Sequence, residues 1–165
     1  ILGMGRIGKA IAKRCHYGFG MEVVFYNRST VTDAGLPARQ VEMAEAMQAD
    51  FVVTCVPGGP ATRHMINAET LADMRPQGIF INISRGDVVD EAALVQVLKQ
   101  GKIAGAGLDV YEREPQVTPA LMAMENVTLL PHLGTAVLEV RTAMGMMALN
   151  NLIAHKRGQP LPNRV

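Results

Sequence analysis

The feature that most constrains the fold is the glycine-rich hexapeptide GMGRIG at residues 3–8, between an apolar pair and a stretch with helical spacing of apolar residues. Gly3 permits a tight turn, Gly5 lets a phosphate approach the backbone, and Gly8 allows a helix to pack closely on a strand. The helix N-terminus then offers unpaired N–H groups and the positive end of its dipole. The hexapeptide predicts a turn that binds the pyrophosphate of a dinucleotide; the alternative is a glycine-rich helix cap without a ligand.

Short apolar runs alternate with amphipathic stretches along the rest of the chain. Strands are predicted at 21–26, 51–54, 78–83, 104–108 and 127–130, and helices at 6–17, 41–48, 67–74, 90–100 and 135–155. The strands are mostly continuous in apolar residues, which is typical of a parallel sheet covered on both faces. Strand–helix alternation therefore predicts the α/β class, a doubly wound parallel sheet of the Rossmann type in a single domain.

Composition narrows the classes of partner. Among 165 residues, 48% are hydrophobic, and 16 basic residues stand against 15 acidic ones. A nearly neutral chain has no electrostatic reason to bind nucleic acid or an anionic membrane, and no apolar run is long enough to span a bilayer. Cys15 and Cys55 are too few for a disulfide framework, so we expect reduced thiols and a cytoplasmic protein. No metal site is predicted.

The segment NRST at residues 27–30 lies where a dinucleotide-binding fold reads the ribose of its cofactor. Asn27 follows Gly8 by 19 residues, close to the usual position of an acid that binds the ribose hydroxyls. Asn27 carries no charge, Arg28 can pair with a phosphate, and Ser29 and Thr30 can donate hydrogen bonds to it. These residues predict a preference for NADP(H), with NAD(H) possible; the alternative is a solvated turn.

Polar side chains follow three of the predicted strands. Arg85 follows the strand at 78–83, Asp109 and Glu114 follow the next, and His132 follows the last. Ligands of open α/β sheets bind outside the carboxyl ends of the strands, so we expect these side chains near the nicotinamide.

The three side chains suit the reduction of a ketone. Arg85 can hold a carboxylate or a carbonyl oxygen, and His132 can donate a proton while Glu114 favours its charged form. The alternatives are a cap or surface ion pair for Arg85, a solvated loop carboxylate for Glu114 and a turn histidine for His132. The other histidines are expected to be structural or on the surface; these are His16, His64 and His155.

On these segments the chain resembles the D-isomer-specific 2-hydroxyacid dehydrogenases. The matching segments are GMGRIGKAIA at 3–12, NISRGDVVDEAAL at 82–94, AGAGLDVYEREP at 104–115 and LLPHLGTA at 129–136. The segment TCVPGGPATRHMIN at 54–67 is similar to the version in the bacterial glyoxylate/hydroxypyruvate reductases of the family. NRST likewise resembles the members that prefer NADPH.

The resemblance implies roles for individual residues. Arg85 is expected to bind the substrate carboxylate and polarise its carbonyl, His132 to be the general acid/base, and Glu114 its partner. The residues implied in cofactor binding, beyond the three glycines and the segment 27–30, are Arg6, Ile7, Val56, Pro57, Ile83, Ser84, Arg85, Asp109, His132 and Gly134. Asp109 is expected to hold the nicotinamide carboxamide.

The resemblance also implies a domain organisation. Residues 1–156 are expected to form the dinucleotide-binding domain, with its first strand truncated, and residues 157–165 a tail leading back toward a substrate domain absent from this chain. We therefore expect a piece of a longer homodimeric protein that turns over poorly by itself and acts on a small 2-keto acid such as glyoxylate or hydroxypyruvate. The alternatives are a phosphoglycerate-type or other NAD-dependent dehydrogenase, or a non-catalytic NAD(H)-sensing corepressor.

Overall fold

A computed structural model of the protein describes residues 1–164. Along this part of the chain, short strands alternate with helices. The elements are α1 (Arg6–Phe19), β1 (Val24–Phe25), β2 (Arg39–Gln40), α2 (Met43–Met47), β3 (Phe51–Thr54), α3 (Ala68–Ala72), β4 (Ile79–Asn82), a 3-10 turn (Gly86–Val88), α4 (Glu91–Lys99), β5 (Gly105–Leu108), α5 (Pro119–Met122), β6 (Val127–Leu129) and α6 (Leu138–Lys156).

The strands form parallel ladders. β3, β4, β5 and β6 make one sheet in that order, and β1 pairs with β2. Leu2 joins the two ladders, because it bridges both Tyr26 and Thr54 in parallel. Its N–H donates to the Val53 carbonyl at 2.8 Å, and its own carbonyl accepts from Cys55 N at 2.7 Å. The predicted parallel Rossmann-like α/β architecture is confirmed.

Buried side chains cover both faces of the sheet. Val52 and Val53 are successive residues of β3, so they point to opposite faces. Val52 belongs to a large apolar cluster with Phe80 and Leu94, while Val53 belongs to a smaller one with Phe25. The interior of β3 is therefore apolar on both faces, as the sequence indicated.

The structure changes some predicted bounds. The strand predicted at 21–26 is reduced to Val24–Phe25, since β2 offers only two pairing residues and Met21 N still binds the Cys15 carbonyl behind α1. The final helix begins at Leu138 rather than at 135, because the residues before it form tight turns. β2 and α5 are elements that the sequence did not predict.

The described chain divides into two compact units, Ile1–Pro131 and the residues from His132 onward. The first contains both ladders. In the second, Asn151 of α6 holds the tail, donating to Asn163 Oδ1 at 3.0 Å and accepting from Asn163 N at 3.2 Å. The predicted domain division at residue 156 stays a prediction. Within residues 1–164, no helix has the length and apolar character needed to cross a membrane.

Candidate functional site

The glycine hexapeptide forms a turn against the sheet. Gly3 has a φ of +95°, a conformation that other residues adopt at a cost. A Cβ on Gly8 would lie 2.1 Å from the Gly3 carbonyl oxygen, whereas a Cβ on Gly5 would meet nothing within 4 Å. Gly8 therefore allows close packing, and Gly5 faces open space. No acidic residue occupies the first turn of α1, so its N-terminus remains suited to an anion.

A cleft of about 1290 Å³, here called the large cleft, opens in front of this turn. Its walls come from the glycine turn, the segment after β3, the segment after β4 and the acidic segment after β5. The lining residues that the sequence predicted are Gly5, Arg6, Ile7, Val56, Pro57, Ile83, Ser84, Arg85 and Glu114. Those that it missed are Cys55, Gly58, Gly59, Gly86, Asp87, Tyr111, Glu112 and Arg113. Their position after strands was the one signal that could have found them.

A second cleft of about 570 Å³, here called the small cleft, lies on the other side of the glycine turn. Asn27, Arg28 and Ser29 line it, together with Met43, which the sequence analysis did not single out. Thr30 lines neither cleft and is exposed. The two clefts share Gly5, Cys55, Val56, Pro57 and Gly58. They therefore meet beside the glycine turn, as an elongated ligand with a central anion requires.

The Asn27 side chain builds the turn that lines the small cleft. Its Oδ1 accepts from Met4 N at 3.2 Å, and its Nδ2 donates to the Ser29 carbonyl at 2.9 Å and to Ser29 Oγ at 3.2 Å. An aspartate could not donate these last two bonds. Arg28 is exposed and takes part in none of the ion pairs formed among residues 1–164.

Asn82, at the end of β4, organises the segment that carries Arg85. Asn82 is 1% exposed, and its Oδ1 accepts from Thr54 Oγ1 at 2.7 Å, Ser84 N at 3.0 Å and Ser84 Oγ at 2.8 Å. Its Nδ2 donates to the Arg85 carbonyl at 3.0 Å. Sequence reasoning missed Asn82; an amide at the end of an apolar strand is its only signal.

Arg85 lines the large cleft, and its Nη1 donates to the Ser84 carbonyl at 2.7 Å. In the part of the chain that the structure describes, Arg85 forms no salt bridge with a carboxylate. Its charge is therefore available to an anionic ligand of the cleft.

A buried carboxylate accepts a hydrogen bond from the acidic segment that follows β5. Glu91, 7% exposed at the start of α4, accepts from Glu112 N and from Thr118 Oγ1, both at 2.6 Å. Within the segment, Glu114 Oε1 accepts from Tyr111 N at 3.0 Å. Asp109 is buried, and its N–H donates to the Asn82 carbonyl at 3.0 Å. Glu91 was not among the predicted residues.

His64 links two walls of the large cleft. Its ring Nε2 lies 2.7 Å from Glu112 Oε1, and its main-chain N–H donates to the Asp87 carbonyl at 2.8 Å. Arg63 Nη2 lies 3.8 Å from the same Glu112 oxygen. This is a structural setting, one of the two that the sequence analysis expected for His64.

Cys55 lies where the two clefts meet. Burial raises the pKa of its thiol to about 11, so the thiol is neutral at ordinary pH. Cys55 therefore adds no negative charge beside a bound phosphate.

His132 and Gly134 belong to the second compact unit, and both are exposed. His132 has a φ of 55°, which is uncommon for a residue with a side chain and recurs here only at His64 among the described non-glycine residues. Residues 1–164 contain no group of three or more His, Cys, Asp or Glu side chains arranged to hold a metal ion.

Comparisons with known proteins identify the family of the chain. Residues 1–134 match the family described as "D-isomer specific 2-hydroxyacid dehydrogenase, NAD binding domain". The whole chain is 46% identical to half of a glyoxylate reductase from Pyrococcus furiosus, whose length it covers to 50%. It is 45% identical to a glyoxylate/hydroxypyruvate reductase B from Serratia proteamaculans, of which it covers 52%.

The fold is also similar to that of solved structures. An NADPH-dependent glyoxylate/hydroxypyruvate reductase from Sinorhizobium meliloti, crystallised with NADP and malonate, superposes with a TM-score of 0.87 at 42% identity, covering 93% of this chain and 48% of the other. The chain thus spans about half the length of the relatives it matches. By its sequence and its glycine turn, it belongs to the D-isomer-specific 2-hydroxyacid dehydrogenase family and corresponds to the NAD-binding domain.

Proposed function

We propose that the chain is the cofactor-binding part of an NADPH-dependent reductase that converts a small 2-keto acid, of the glyoxylate or hydroxypyruvate type, to the D-2-hydroxy acid. The observation that carries the choice of NADPH is the turn at the small cleft. It presents Arg28 and Ser29 and lacks an acidic residue. An acid there would accept from the ribose hydroxyls and repel a 2′-phosphate, whereas a guanidinium attracts it.

The residues present fit a dinucleotide. Gly5 leaves space for a pyrophosphate beside the N-terminus of α1, and the two clefts meet at that point. Arg6 and Ile7 would then lie against the pyrophosphate, and Val56 and Pro57 would line the adenine side. Ile83, Ser84, Asp109 and Gly134 are proposed to bind the nicotinamide half. When bound, the reduced nicotinamide supplies the hydride.

The chain's own side chains would supply the remaining chemistry. Arg85 is proposed to bind the substrate carboxylate and polarise the carbonyl, because its charge faces the large cleft without a carboxylate partner in a salt bridge among residues 1–164. His132 is proposed to donate the proton to the carbonyl oxygen, and Glu114 to stabilise the imidazolium. The homologous reductases support the reaction class. We also propose that the intact protein is a homodimer in the cytoplasm.

Kinetics of the intact protein with glyoxylate and hydroxypyruvate test the cofactor choice. We expect a higher kcat/KM with NADPH than with NADH. Arg28→Ala should lower kcat/KM for NADPH by roughly 10-fold or more and leave kcat/KM for NADH unchanged, since it removes a charge-assisted contact to the 2′-phosphate. Arg157→Ala, at an exposed arginine after α6, is the control and should change neither. A higher kcat/KM with NADH in the unmodified protein would refute the preference.

The alternative function is the binding of a nicotinamide cofactor without catalysis. A nicotinamide-sensing corepressor on the same fold would bind the cofactor without turnover, and the glycine turn and the clefts suit binding as well as catalysis. Arg85 favours the reductase, because it lines the large cleft and forms no salt bridge among residues 1–164, and a sensor has no need of a cation for a substrate carboxylate.

A further inference from the structure

The turn that lines the small cleft is held by a residue outside it. Gln40, in β2, is half-buried and directs its carboxamide at the backbone of residues 27–31. Its Nε2 donates to the Asn27 carbonyl and to the Ser29 carbonyl, both at 3.1 Å. Its Oε1 accepts from Val31 N at 2.9 Å. All three contacts are to the main chain, so they act on the path of the turn.

The three contacts also fix the orientation of the amide. Two carbonyls require a donor and one N–H requires an acceptor, so the nitrogen and the oxygen of Gln40 cannot exchange places. The backbone under the side chain is fixed as well. Gln40 pairs with Phe25 in the β1–β2 ladder, Arg39 N donates to the Val23 carbonyl at 3.1 Å, and Val41 N donates to the Phe25 carbonyl at 2.9 Å.

The two bonds from Nε2 bracket Arg28. They bind the carbonyls of the residues on either side of it, Asn27 and Ser29. The Asn27 side chain also connects this turn to the glycine hexapeptide, because it accepts from Met4 N. The turn is thus attached on one side to the site proposed for the pyrophosphate and on the other to β2. Arg28 and Ser29 therefore project from a backbone that hydrogen bonds hold on both sides.

We propose that Gln40 is a positioning residue for cofactor selection, which holds Arg28 and Ser29 where they meet the 2′-phosphate of NADPH. This inference rests on the proposed NADPH preference. Gln40 itself lines neither cleft, so its effect runs through the turn. A turn that these hydrogen bonds hold loses less conformational freedom when it binds the 2′-phosphate, a group that NADPH carries and NADH lacks.

The test uses the intact protein and compares Gln40→Met with Gln96→Met. Methionine keeps the length of the side chain and removes all three hydrogen bonds, and Gln96 is exposed on α4 away from both clefts. We expect Gln40→Met to raise the KM for NADPH about tenfold, as expected when a loop must be ordered on binding. The KM for NADH and both kcat values should stay unchanged, and Gln96→Met should change nothing.

Gln40→Glu provides a second variant in case the methionine variant does not fold. It keeps an acceptor for Val31 N, loses both donations and adds a negative charge near the turn, so it should raise the KM for NADPH further. An NADPH KM equal to that of the control, or an equal rise for NADH, would overturn the inference while the proposed function stands. A preference of the unmodified protein for NADH would overturn both.

Discussion

Gly86, which lines the large cleft, has no room for a side chain. It follows Arg85, and a Cβ built on it would lie 1.8 Å from the Tyr111 carbonyl oxygen and 2.5 Å from Glu112 N. These are backbone atoms, so a side-chain rotation cannot relieve the overlap. The close approach brings the arginine segment against the acidic segment, and two walls of the cleft depend on it.

Gly86→Ala should therefore lower the free energy of unfolding by more than the roughly 1–3 kcal/mol of ordinary overpacking. The matched control is Gly145→Ala, inside α6, where an added Cβ meets nothing within 4 Å. That change should stabilise the protein by about 0.5–1 kcal/mol, because alanine favours the helix. Urea unfolding of both variants measures the difference. Equal stability of the two would show that the segments can separate without cost.

Residues near the small cleft show how much of the site can be predicted from spacing along the sequence. The distance from Gly8 placed Asn27 and Arg28 at the turn, and both line the cleft. The role of the Asn27 amide in shaping the turn depends on where Met4 N lies, which no spacing rule gives. Gln40 was not predicted at all, because its partners lie 9–13 residues away and meet it only through the β1–β2 ladder.

At the scale of elements, the carboxyl end of β4 is the part of the sheet that most directly shapes the candidate site. Asn82 closes the strand, and its buried amide accepts three bonds and donates one, to the Arg85 carbonyl. Asn82→Asp would keep the acceptor and turn a carboxylate oxygen toward that carbonyl. A buried polar group then loses its partner and the Arg85 segment is released.

We expect Asn82→Asp to lower the free energy of unfolding by about 1–3 kcal/mol and to raise the KM for the keto acid more than that for NADPH. Asn67→Asp is the control with the same chemical change. Its Oδ1 caps α3 by accepting from Glu69 N at 3.0 Å and Thr70 N at 3.2 Å, and aspartate caps as well as asparagine. Its half-buried Nδ2 makes one longer bond, to the His64 carbonyl at 3.3 Å, so that variant should lose less stability than Asn82→Asp. An equal loss of unfolding free energy in the two variants would show that the hydrogen bonds of Asn82 have no special role.

The elements that the sequence predicted best are those with a strong apolar pattern. β3 was predicted at 51–54 and is observed as Phe51–Thr54, and α4 begins after Asp90, whose side chain accepts from Ala93 N as expected of a cap. β2 escaped prediction because Arg39–Gln40 has no apolar pattern; pairing with β1 alone makes it a strand. α5 is a single turn of four residues, too short for a helical period to register.

At the scale of the whole molecule, the sequence predicted a parallel α/β sheet because its strands are continuous and alternate with helices. It did not predict the division after Pro131, since that depends on which residues contact each other in space. The residues proposed for catalysis fall in both units: Arg85 and Glu114 belong to the first, and His132 to the second. Their proposed roles rest on the family resemblance and on their position after strands.

His132→Ala in the intact protein separates a reductase from a sensor. A reductase that uses His132 to donate the proton should lose roughly 10²–10⁴-fold in kcat, the usual contribution of general acid catalysis. A sensor would keep its partner binding after the same change. His155→Ala, at an exposed histidine in the last turn of α6 in the same unit, is the control and should retain full turnover. Unchanged turnover in His132→Ala would remove His132 from the mechanism, and an unmodified protein that binds NADPH without reducing any small 2-keto acid would favour the sensor.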